Sequence, residues 1–254
     1  MTLLVALRGS DGLALAADSR GTFGDPRGVT AQNDTMEKAF IVSPHVAVLL
    51  AGAGELGNTA MLGAVAGIRQ QSLDGVAAVL EPFRQHFRSQ YAAWFPNVPA
   101  MPAPALAQVG QVPTRPEIQL LVAGCDTPGS ADTSIYSLAS GFDFAPMLHS
   151  YGFAVAGVPL YATYLLNRLH QPDRSVDELA ALAVYVITET ASQDGKVGGP
   201  IKVITIRPDA GCVQLTAEQV SAIAQQNEVR SGALRSSFYG GVGGAGGAGG
   251  ANGG

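Results

Sequence analysis

The 254-residue chain carries 15 Lys and Arg against 20 Asp and Glu, a formal net charge of −5, and is 47% hydrophobic with 14% charged residues. That composition supplies ample core for one large sandwich domain or two small ones, and its acidic balance argues against nucleic acid as an electrostatically held partner. No positive n-region precedes the first apolar run, which Arg8 and Asp11 close far short of a membrane span, so the expectation is a cytoplasmic protein without a membrane partner.

The first element is an apolar strand, Thr2 to Leu7. After the turn Ser10-Asp11-Gly12, a second apolar strand runs from Gly12 to Ala17 and ends in Asp18-Ser19-Arg20; a hairpin of the two returns Asp18 to the neighbourhood of Thr2. Lys38 stands alone before a third strand, Ala39 to Val42, and a fourth, His45 to Ala51, closes in Gly52-Ala53-Gly54. Helical patterning follows over Asn58 to Gln71 and Val76 to Phe95, with Pro82 expected to kink or restart the second helix. The stretch 96–116 is crowded with prolines and reads as an extended surface insertion. Strands are predicted at Ile118 to Ala123 and Ser134 to Leu138, then helices at Leu160 to Leu169 and Ser175 to Ser192, the last opened by a capping box, Ser175-Val176-Asp177-Glu178. Strands at Ile201 to Ile206 and Cys212 to Leu215 complete the order. It suits an α+β, four-layer αββα sandwich, two antiparallel sheets between helical layers. One domain over 2–228 is expected, followed by a Gly-rich disordered tail over 229–254.

Cys125 and Cys212 make no metal-ligand spacing, and the four histidines form no i, i+4 pair, so no metal site and no cofactor are predicted and the cysteines read as packing residues.

The chemistry concentrates near the N-terminus. Once Met1 is removed, Thr2 carries a hydroxyl and a free α-amine of pKa about 8 on one residue, a nucleophile with its own base. Methionine aminopeptidase acts before a residue as small as Thr, so that step unmasks the site. A buried Lys38 ammonium near the Thr2 hydroxyl favours its ionised form and disfavours protonation of the amine, while Asp18 keeps Lys38 charged and oriented. A backbone N–H at Gly52 suits an oxyanion, a donor typically worth roughly 3 kcal/mol.

These residues carry a resemblance. Thr2-Leu3-Leu4-Val5-Ala6, Gly12 to Arg20, Lys38-Ala39-Phe40 and Val48 to Gly52 resemble the proteasome β-type subunits, N-terminal threonine hydrolases, and within them the bacterial homologues, over roughly residues 2 to 228. The resemblance implies the N-terminal nucleophile hydrolase fold and a threonine-type endopeptidase. It makes Thr2 the nucleophile, Asp18 and Lys38 its charge partners, Arg20 a structural support, Gly52 the oxyanion donor and Asp194 a supporting acid. It points to Met36 and Leu50 as substrate-binding residues of an apolar specificity pocket. As partners it implies peptide or unfolded protein substrates, homo-oligomeric stacked rings and an ATP-driven unfoldase. Three departures stand out: a lengthened loop over Gly24 to Gly28, Val197 where a Ser is usual, and Gly157 where another supporting Ser is expected. The missing hydroxyls leave a second reading, a ring-forming scaffold subunit without hydrolysis. A remote third comes from Gly52-Ala53-Gly54-Glu55-Leu56-Gly57, a G-x-G-x-x-G run after a strand with Asp74 about twenty residues on, the local pattern of a dinucleotide-binding turn.

Overall fold

A computed structural model describes residues 2–25, 28–98 and 115–239. The tail from 240 onward and most of the Pro-rich insertion, 99–114, lie outside the described residues. The fold is α+β with antiparallel sheets. One five-stranded sheet has the order β10-β1-β2-β11-β12, built from β1 (Leu3–Arg8), β2 (Leu13–Ala17), β10 (Phe153–Gly157), β11 (Lys202–Arg207) and β12 (Gly211–Gln214). The other has the order β5-β6-β7-β8-β9, from β5 (Ala39–Ser43), β6 (Val46–Gly52), β7 (Ile118–Cys125), β8 (Thr133–Ala139) and β9 (Met147–Leu148). Among the described residues, β3 (Gly21–Asp25) and β4 (Gly28–Asn33) pair only with each other. The helices are α1 (Gly54–Gln70), α2 (Val76–Trp94), α3 (Pro159–Leu169), α4 (Val176–Gln193) and α5 (Ala217–Tyr239).

The unbroken apolar run of β1 follows from burial on both faces, since successive side chains alternate sides of the sheet. Leu4 and Ala6 pack with Leu13 and Leu15 against Ala47, Leu49 and Leu121 of the other sheet. Leu3, Val5 and Leu7 point the opposite way, onto Leu179, Ala183 and Val184 of α4. The outer face of the second sheet, with Val48, Leu50 and Val122, meets Phe83, Phe87 and Tyr91 of α2. Phe87 and Tyr91 both pack on the fully buried Phe144, tilted and edge-on, with ring centroids 5.5 and 5.1 Å apart.

The predicted hairpin forms, with β1 and β2 antiparallel in the register Leu4↔Ala17. The predicted capping box is also present: the Ser175 side chain accepts from the Glu178 N–H, and the Glu178 carboxylate accepts the Ser175 N–H at 3.0 Å. Three local expectations need correction. Helix α2 continues unbroken through Pro82 and does not restart there, because helix packing on the second sheet outweighs one missing N–H. Helix α1 starts at Gly54, four residues earlier than its periodicity suggests; Gly57 belongs inside it because a Cβ there would come within 2.8 Å of a Leu50 methyl. The lengthened loop after Asp18 is organised as the β3–β4 hairpin, with a bulge between Phe23 and Gly24. At the C-terminal side, α5 continues through 229–239, past the expected boundary at 228.

Candidate active site

The site is assembled where β1, β2, β5 and β6 end together. Leu3 N–H donates to Asp18 Oδ1 at 3.0 Å and Asp18 N–H donates to the Leu3 carbonyl at 3.3 Å, which ties Asp18 beside Thr2. Val158 N–H donates to the Thr2 carbonyl at 2.9 Å and holds the N-terminal residue from the other side. Thr2 itself is buried, 6% exposed.

Lys38 reaches into the same place. Its Nζ donates to Asp18 Oδ1 at 2.8 Å and to the Arg20 carbonyl at 2.6 Å. The Asp18 side chain is fully buried and that of Lys38 is 5% exposed, so the pair is withdrawn from water. Burial pulls the Lys38 pKa below the ordinary lysine value, a shift that the Asp18 charge opposes without cancelling. The second Asp18 oxygen accepts the Gly198 N–H at 3.0 Å, so the buried carboxylate has three donors.

Thr2, Lys38, Gly52, Met36 and Leu50 all line one cavity of about 470 Å³. Gly52 closes β6 at φ 104°, and a Cβ there would stand 2.1 Å from the Glu117 carbonyl oxygen, so only glycine fits. Met36 lies against two backbones with no side chain: a Cβ on Gly21 or Gly54 would come within 2.1 Å of its Sδ or 2.3 Å of its Cε. Together with Leu50 it gives the cavity an apolar floor.

Asp194 stands apart from this group. It caps the end of α4, its N–H donating to Thr190 O at 2.8 Å and its Oδ1 accepting the Lys196 N–H at 2.9 Å, and it is not among the residues lining the cavity. Its turn leads into Gly198, whose N–H holds Asp18. Val197 is fully buried in the apolar cluster that contains Leu3. Gly157 has φ 89°, and a Cβ there would lie 1.9 Å from the Thr2 carbonyl oxygen.

Arg20 has a partner that sequence reasoning missed. Its guanidinium grips Asp34 with two bonds of 2.8 and 2.9 Å and donates to Gly195 O at 3.1 Å. The hydrogen bond to Arg20 lowers the Asp34 pKa and raises that of Arg20 in return. Gln119 was missed as well: its Oε1 accepts the Gly157 N–H at 2.9 Å. Neither lies in a motif, and no periodicity links the paired residues in sequence.

The dinucleotide pattern does not find its context. β6 is antiparallel to both β5 and β7, where such a turn needs a parallel crossover. Asp74 lies between α1 and α2 and accepts from Ser43 Oγ at 2.7 Å, from the His45 N–H at 2.9 Å and from the Gly75 N–H at 2.9 Å. Among the described residues no group of three or more His, Cys, Asp or Glu is placed to hold a metal ion. Cys125 is buried and Cys212 half-buried, both free thiols, and burial pushes the Cys212 thiol up to about 12. No helix among the described residues is long and apolar enough to cross a membrane.

No protein-family model matches the chain. In sequence it is similar to the proteasome subunit beta of Saccharopolyspora erythraea, 26% identical over 245 residues that cover 92% of this chain and 79% of that protein. In structure it resembles the Anbu (Gly-1) mutant from Hyphomicrobium sp. strain MC1, with a TM-score of 0.68 at 16% identity over 94% of this chain and 97% of that one. The similarity to a proteasome β subunit thus runs along nearly the whole chain, and the Anbu likeness extends to the fold.

Proposed function

We propose that this chain is a proteasome-like threonine peptidase of the N-terminal nucleophile hydrolase fold, its two sheets and flanking helices forming a four-layer αββα sandwich within one domain. The observation that carries the reading is the buried Lys38–Asp18 ion pair, whose Lys38 lines the same cavity as Thr2 and Gly52. Removal of Met1 frees the Thr2 amine. Thr2 Oγ attacks the peptide carbonyl while the amine takes its proton and returns it to the leaving amine; water then hydrolyses the acyl-enzyme. Lys38, held charged by Asp18, stabilises the alkoxide as it develops, and Gly52 N–H serves the oxyanion. Asp194 acts by shaping the turn that delivers Gly198 to Asp18. Met36 and Leu50 receive an apolar side chain.

The resemblance to proteasome subunits supports stacked homo-oligomeric rings, an ATP-driven unfoldase as docking partner and a cytoplasmic setting. The inactive scaffold is the second reading, favoured by Gly157 and Val197 in place of serines. The Thr2→Ala variant separates them. Its peptide hydrolysis is expected to fall by about a thousandfold or more with an unchanged circular-dichroism melt; equal turnover in Thr2→Ala excludes Thr2 as nucleophile, and no turnover in either protein favours the scaffold.

A further inference from the structure

The two groups that would face one substrate carbonyl stand on different sheets: Thr2 precedes β1 of the first, and Gly52 closes β6 of the second. Between the sheets lie Leu4, Ala6, Leu49 and Leu121, apolar side chains whose contacts favour close approach but no particular direction. Directional bonds must therefore set how Thr2 sits against Gly52. In the first sheet β1 runs between β2 and β10. On the β2 flank the crossing is made by Lys38, at the start of β5 in the second sheet, whose Nζ reaches Asp18 at 2.8 Å.

The β10 flank has a crossing of its own. Ile118 and Leu120 of β7 pack toward α2, so Gln119 between them takes the opposite face and points across to the first sheet. There its Oε1 accepts the Gly157 N–H at 2.9 Å, and the next residue, Val158, donates its N–H to the Thr2 carbonyl at 2.9 Å. The side-chain amide has one orientation that satisfies both ends. The Gly157 N–H can only donate, so the oxygen faces it, and Nε2 donates to Glu117 Oε1 at 2.5 Å. Glu117 is tied in turn to the other half of the site, its carbonyl accepting the Ala53 N–H at 2.8 Å, next to Gly52. Residue 157 cannot supply such a hold itself, because a Cβ there would lie 1.9 Å from the Thr2 carbonyl oxygen.

We infer that Gln119, oriented by Glu117, is a positioning residue for the nucleophile: acting from the second sheet through Gly157 and Val158, it sets Thr2 against Gly52 where residue 157 has no room for a side chain. The inference rests on the reading of Thr2 as the nucleophile.

The test compares the full-length protein with Gln119→Met, an unbranched side chain of similar length that makes neither bond, and with the swapped variant Gln119→Glu/Glu117→Gln. The swap keeps an acceptor for the Gly157 N–H and reverses donor and acceptor between 117 and 119. Peptide hydrolysis gives kcat and KM separately, and hydrogen exchange read by mass spectrometry with fragmentation follows the Gly157 and Val158 amides. In Gln119→Met, kcat is expected to fall about tenfold with KM unchanged, and both amides to exchange about tenfold faster. The swapped variant is expected to recover most of both losses. A purely structural role would lower the melting temperature and leave the kcat of the folded protein as it was. Unchanged kcat in Gln119→Met overturns the inference and leaves the peptidase reading standing; so does a loss that the swapped variant, folded by its melt, fails to restore. If the unaltered protein cleaves no peptide, the peptidase reading goes and the amides decide alone. Exchange that quickens in Gln119→Met and slows again in the swapped variant keeps the hold on Thr2, and exchange that is equal in all three proteins overturns it.

Discussion

Replacing Lys38 with Met is expected to destabilise the fold by about 3–5 kcal/mol, because the substitution removes a buried cation and leaves its carboxylate behind. Asp18 is fully buried, and without Nζ at 2.8 Å it keeps only the Leu3 and Gly198 N–H groups for a full negative charge. The large effect arises from that stranded charge; the net worth of the intact pair is much smaller, since both ions were desolvated to form it. A second substitution makes the argument checkable. In the double variant Lys38→Met/Asp18→Asn the carboxylate is gone as well, so most of the lost stability should return while hydrolysis stays absent. Urea midpoints for the single and double variants decide the first point. A Lys38→Met protein within 1 kcal/mol of the unaltered chain would show that the ion pair is not sealed from water as the geometry indicates.

The second large effect concerns a residue at which the resemblance and the structure pull apart. Serine is expected at Gly157, yet Gly157→Ser should cost about 3 kcal/mol or more and should not improve catalysis. The backbone there has φ 89°, a conformation costly for any residue with a Cβ, and the added atom would sit 1.9 Å from the Thr2 carbonyl oxygen. Relief requires β10 to move away from β1 at Leu3↔Gly157, the pair next to the nucleophile, and weakens the bond that the Gly157 N–H donates to Gln119 Oε1. Thermal melts and peptide turnover of Gly157→Ser measure both consequences. A variant as stable as the unaltered chain with faster turnover would mean that the serine is only missing, and that the glycine is not required.

Much of the frame could be read in the residues because the signals were local. Two apolar runs, Leu3 to Leu7 and Leu13 to Ala17, with a turn between them point to a hairpin, and the hairpin returns Asp18 to the N-terminus. Ser175 and Glu178 mark the start of α4 by side-chain hydrogen bonds within one turn. Lys38 and Gly52 were legible because a cation at the start of an apolar strand and a glycine at a strand end each need a reason. What escaped depends on contacts distant in sequence. Gly54 and Gly57 look like helix breakers until Leu50 and Met36 are seen packed against them. The Asp34 clasp on Arg20 and the Gln119 bond to Gly157 join segments that no periodicity connects. Asp194 entered the site through the resemblance, and in the fold its Oδ1 accepts the Lys196 N–H of its own turn. Helix α5 has almost no buried stripe, with Val220 and Asn227 its buried residues, so its pattern offers little to detect.

The most direct test of the central claim is the intact mass of the purified protein before and after treatment with a peptide epoxyketone, which closes its ring only on a free N-terminal amine and the adjacent hydroxyl. The account predicts a chain lacking Met1 that gains one adduct, mapped to Thr2 by peptide sequencing and absent from Thr2→Ala. A chain lacking Met1 that gains no adduct, under conditions where its fold is intact, would contradict it.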